Sequence, residues 1–157
     1  MVEYHFELPD QEVYTFQVNP ERKTILEEDS NEHPFWTKLE YAQCENCPLT
    51  THDCRHCPVA IDLEQVVQRF SEILSVTYVK VWVTTEQRTY YKECDAQSAL
   101  DSLLALIMAT SQCPILGGFR SMAKTHLPFS TQFETLTRAV GNYLIKQYFL
   151  HHDGQKA

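Results

Sequence analysis

Hydrophobic and polar positions alternate from the first residues of the chain. Val2, Tyr4 and Phe6 form one such run, and Val13 to Phe16 with Val18 form another after the turn-like LPDQ at Leu8–Gln11. This period of two predicts a β-hairpin. Asn19 to His33 is polar and acidic (Glu27, Glu28, Asp29, Glu32), with Ile25 and Leu26 as its strong apolar residues. It reads as a solvated connector or short helix, with an acidic docking surface as the functional alternative. Phe35, Thr37, Leu39 and Tyr41 alternate again and predict a third strand running into Cys44.

Beyond Cys57 the period changes. Val59, Leu63, Val66, Val67, Phe70, Ile73 and Leu74 recur at helical spacing behind Pro58, which suits a first helical position because its missing N–H is not needed there. VTYVKVWVTT, Val76 to Thr85, is the strongest strand signal, and Arg88 to Cys94 is its hairpin partner across Glu86-Gln87. Asp95 can cap a helix reaching about Ser111, whose leucines occupy more than one face and predict a buried helix. Cys113-Pro114 opens a further short helix through Ala123, weakened by Gly117-Gly118. Thr131 and Glu134 form a capping box. The last helix carries Phe133, Leu136, Val140, Tyr143, Leu144 and Tyr148 on one stripe, expected to pack on the sheet, and ends in His151 and His152 as cations near its C-terminus.

These elements predict a single α+β domain over residues 1–157. Its antiparallel sheet has about five strands, covered by three or four helices. A Cys-rich metal knuckle, 44–57, is inserted between strand three and the first helix. At 157 residues and 43 % hydrophobic, the chain can bury a core without cross-links. The acidic N-terminus does not read as a signal peptide, and no apolar run reaches the ~18 residues of a membrane span. A cytoplasmic protein with reduced thiols is expected. The net charge of −8 argues against nucleic acid, since there is no surplus of Lys and Arg to displace phosphate counterions. Neither membrane nor nucleic acid is an expected partner; an unidentified protein is left open.

The chemistry concentrates in CENCPLTTHDCRHC, which places four of the six cysteines as C-x2-C-x6-C-x2-C. Two C-x2-C units supply four thiolates, and a tetrahedral zinc ion at ~2.3 Å from each sulfur needs such a set. Cys44, Cys47, Cys54 and Cys57 are the expected ligands. His52, His56 or Cys113 can replace Cys54 in alternative sets. An iron–sulfur cluster is the rival cofactor, because Cys47, Cys57 and Cys113 each precede proline, although no tight C-x2-C-x2-C run is present. A thiol–disulfide redox pair in CENC is a third reading, disfavoured by the second C-x2-C nearby. Cys94 reads as structural, and His126 as a histidine satisfied near a helix end. No catalytic motif nominates an enzyme.

The stretches CENCP, HCPVAIDL, LLALIMATSQCPIL and MAKTHLPFST together resemble a family of small bacterial cytoplasmic proteins built on a domain of unknown function. The resemblance implies a bacterial, soluble, single-domain protein. It lends support to grouping the Cys113 region with the cluster and brings no activity, substrate or partner. The function expected from the residues is a small metal-binding protein with a structural four-cysteine zinc site in an interaction or regulatory role. The alternatives are an iron–sulfur redox or sensor protein and a thiol–disulfide redox protein.

Overall fold

A computed structural model describes residues 1–22 and 32–154. Most of the acidic stretch, including Ile25 to Asp29, lies outside the described residues. Four strands form one antiparallel sheet in the order β2–β1–β3–β4: β1 is Val2–Glu7, β2 Val13–Val18, β3 Tyr78–Thr84 and β4 Thr89–Asp95. Both hairpins foreseen from the alternation are present, β1 with β2 and β3 with β4, and β1 also pairs with β3. Period-two patterning sends Tyr4, Phe6, Phe16, Val79, Val81 and Val83 to one buried face. The opposite face carries a row of cross-strand contacts, with Trp82 against His5 at 5.4 Å and against Tyr91 at 4.9 Å.

Helices cover the buried face. α1, Pro58–Phe70, begins on Pro58 and packs Val66 and Phe70 against the sheet; the Phe70 ring meets Phe6 and Tyr14, each at 5.2 Å. α2, Ala96–Thr110, starts where the Asp95 carboxylate accepts the Ser98 amide at 2.8 Å. Leu103 and Leu106 are fully enclosed, each worth roughly 1.5–3 kcal/mol of burial. A 3-10 turn, Leu116–Phe119, leads into α3, Arg120–Lys124. The Arg120 guanidinium ties the end of α2 to the N-terminal region, donating to the carbonyls of Thr110 (2.9 Å), Ser111 (3.0 Å) and Arg22 (2.5 Å).

Four expectations need correction. Among the described residues the sheet has four strands rather than five, because Phe35 to Tyr41 is not a strand: Phe35–Thr37 is a 3-10 turn and Lys38 makes an isolated bridge to His56. Local bonding outcompetes the alternation here. The Thr37 hydroxyl and amide both donate to the Pro34 carbonyl, at 2.7 and 3.0 Å, and a second turn brings the Tyr41 amide to the Lys38 carbonyl. The cysteine loop therefore lies between a 3-10 turn and α1, and among the described residues no preformed metal knuckle interrupts the fold. Cys113 does not open a helix; the 3-10 turn begins at Leu116, and Cys113 precedes it in the α2–α3 connection.

The fourth correction concerns the last helix. α4, Gln132–His152, has the foreseen capping box, with the Thr131 hydroxyl accepting the Glu134 amide and the Glu134 carboxylate accepting the Thr131 amide. Its apolar stripe does not pack on the sheet. None of its residues is buried, and it is joined to α3 chiefly by Arg138, which donates to the carbonyls of Met122 and Thr125 at 2.9 and 2.7 Å.

Candidate functional site

All six cysteines are free thiols. The four clustered ones lie on a loop closed at its base: the Leu39 amide donates to the Arg55 carbonyl at 3.1 Å, and the Cys57 amide to the Thr37 carbonyl at 2.8 Å. Cys57 is the residue that caps α1 at its N-terminus, immediately before Pro58. Within the loop one turn spans Cys44 to Cys47, and a second, Thr50 to Cys54, leads into the other pair. The Cys47 amide reaches back to the Cys44 carbonyl at 3.0 Å, and the Cys54 amide to the Thr50 carbonyl at 3.1 Å. Gln43 spans the loop to the Leu49 carbonyl at 2.8 Å, and Leu49 is buried.

Electrostatics follow from these turns. Asp53 accepts the Thr50 amide and hydroxyl at 2.7 and 2.8 Å, which holds its carboxyl below the usual range. Cys54 is half-buried, and burial first, then the neighbouring Cys57, Asp53 and Cys47, pushes its thiol up. Cys47, Cys54 and Cys57 are thus electrostatic neighbours, whereas Cys44 is exposed. Among the described residues no three His, Cys, Asp or Glu side chains stand gathered in metal-holding geometry.

The alternative ligands differ in burial and in their partners. His56 is buried, with Nδ1 2.7 Å from the Thr37 hydroxyl and its ring 5.2 Å from that of His33, which in turn contacts Glu64 at 2.7 Å. His52 is exposed. Cys113 sits in the α2–α3 connection with its amide 3.3 Å from the Ser111 hydroxyl. Cys94 is buried in the core, where burial pushes its thiol up.

A cavity away from the cysteine loop was not legible from local sequence. A cavity of about 530 Å³ opens between α2, α3 and the start of α4, lined by Leu106, Met108, Phe119, Met122, Leu127 and Arg138 among others. His126 lines it as well, and its Nε2 stands 2.6 Å from the Tyr4 hydroxyl, which also contacts the Ser102 hydroxyl at 2.8 Å. Burial, helped by Arg138, pushes His126 down to about 4, so the imidazole is neutral near pH 7. Burial raises Tyr4 well above the ordinary phenol range. Tyr4 stands between Ser102 and His126, so the serine and imidazole do not form a nucleophile–base pair. Nothing local marks this network, because its members lie 98 and 122 positions from Tyr4.

A family model described as a domain of unknown function, DUF6901, matches residues 2–157. The chain belongs to the DUF6901 family. No curated protein and no solved structure matches it at a significant level. Among the described residues of this DUF6901 chain, no helix is long and apolar enough to cross a membrane.

Proposed function

We propose that this DUF6901 chain is a zinc-bearing interaction or regulatory protein of a reducing compartment such as the cytoplasm. Cys44, Cys47, Cys54 and Cys57 hold one ion that fixes the loop 44–57. The observation that carries the reading is closure of the loop at its base. The Thr37–Cys57 and Leu39–Arg55 bonds confine four sulfurs to one short excursion, with a turn across Cys44 to Cys47. Binding gathers thiols that share one closed loop without being convergent, and so couples metal affinity to loop order. The ion is structural in this reading: four protein ligands leave it no open position for substrate. Four thiolates around one divalent cation carry a net −2, and the acidic chain then presents a negatively charged loop suited to a basic protein surface.

Thiol accounting during zinc titration of the metal-free chain tests this. One equivalent should protect four thiols from alkylation and leave Cys94 and Cys113 as before. Cys54→Ser and Cys113→Ser, tested singly, identify the fourth ligand: loss of stoichiometric zinc on Cys54→Ser alone is the expected result. Retention in both variants contradicts the ligand set.

A further inference from the structure

We propose that α4 is the self-association element of this protein, and that its apolar stripe is covered by α4 of a second copy packed antiparallel across a two-fold axis. Phe133, Leu136, Val140, Tyr143, Leu144 and Tyr148 recur at every third or fourth position and share one side of the helix. Most are far from buried, with Phe133 at 77 %, Leu136 at 63 % and Tyr148 at 64 % exposure. Ile145 and Phe149, off the stripe, are exposed too. Scattered exposed apolar residues need no explanation, but a contiguous stripe along a helix does.

The helix cannot account for its own stability. It contains Thr135, Thr137, Val140, Gly141, Asn142 and Tyr143, all of modest or poor helical propensity, and no residue of α4 is buried. In water a helix of this composition draws its stability from packing of an apolar face, and the described fold supplies little of it. A partner surface is what the composition requires.

Two observations favour a second copy as that surface. From Phe133 to Tyr148 the stripe carries no Asp, Glu, Lys or Arg, because Glu134, Arg138 and Lys146 lie on other sides of α4, and antiparallel pairing keeps the two His151 ends apart. Its six side chains expose on the order of 700 Å² per chain, so pairing covers up to about 1,400 Å², within the window of stable interfaces. A membrane surface fits less well. Interfacial helices carry a Lys- and Arg-rich polar face, whereas α4 has only Arg138 and Lys146 on a chain of net charge −8.

Sedimentation equilibrium of the full chain, with reductant so that disulfides carry no mass, tests the proposal. At micromolar concentration the expected mass is twice that of one chain, falling towards one chain on dilution. Leu144→Glu and Tyr148→Glu should each give the one-chain mass where the unaltered chain is double. A one-chain mass at every concentration overturns the proposal, and so does an undiminished double mass in both variants. Should the variants lose their fold, hydrogen exchange on the unaltered chain decides. Amides of α4 that are protected in the two-chain species and exposed on dilution support the pairing; amides of α4 that exchange freely in the two-chain species overturn it. These readouts do not involve the metal, so they succeed or fail independently of the zinc reading.

Discussion

The hydroxyl of Tyr4 on β1 and the Nε2 of His126 after α3 stand 2.6 Å apart, joining the centre of the sheet to the segment that leads into α4. Tyr4 is fully enclosed, so its hydroxyl cannot fall back on water when a partner is removed. Tyr4→Phe should keep the ring packing and lose both the His126 and Ser102 bonds, costing about 1–3 kcal/mol. Urea unfolding of the two chains measures the difference, and equal midpoints contradict the assignment.

His126 makes acid stability a second readout. Its folded-state value is depressed to about 4 by burial first and by Arg138 second, and Lys92 and Asp101 line the same cavity. The unfolded chain therefore takes up this proton below about pH 6.5, while the folded chain resists until about 4. The contribution is fully present above pH 6.5 and is lost as pH falls through that window, by at most about 3 kcal/mol. Stability against pH should be shallower over this range in His126→Gln, which keeps a hydrogen-bonding group beside Tyr4. Parallel curves would exclude His126 as the source.

Thr37 holds the base of the cysteine loop. Its enclosed hydroxyl donates to the Pro34 carbonyl and stands 2.7 Å from His56 Nδ1, while its carbonyl receives the Cys57 amide. Thr37→Val retains the shape and removes the hydroxyl, and should cost about 1–2 kcal/mol. In the zinc reading it should also weaken metal retention, because the loop then closes less readily. A competition titration with a chelator compares the two chains, and unchanged affinity would separate the loop base from the ligands.

Much of the fold was legible because its signals are local. Period-two alternation with short turns located both hairpins, and Asp95, Thr131 with Glu134, and Pro58 marked where α2, α4 and α1 begin. The alternation of Phe35 to Tyr41 misled because Thr37 bonds to Pro34 within the same turn, an interaction that residue pattern alone does not reveal. Phe35 and Tyr41, which read as one strand face, instead contact each other at 5.2 Å in the open. The stripe on α4 was also legible, but an amphipathic pattern states only that a face needs covering, not what covers it. The cysteine spacing singled out the loop, and its anchoring to Thr37 and Leu39 needed the fold. The Tyr4–Ser102–His126 contacts depend wholly on long-range packing.

The most direct test of the zinc account is the metal content and visible spectrum of anaerobically prepared protein, read beside its thermal stability before and after chelation. The account predicts one zinc per chain, no visible chromophore, and a lower melting temperature once the ion is removed. Metal-free protein of equal stability contradicts it, and a brown sample that bleaches with dithionite assigns the cysteines to an iron–sulfur cluster instead.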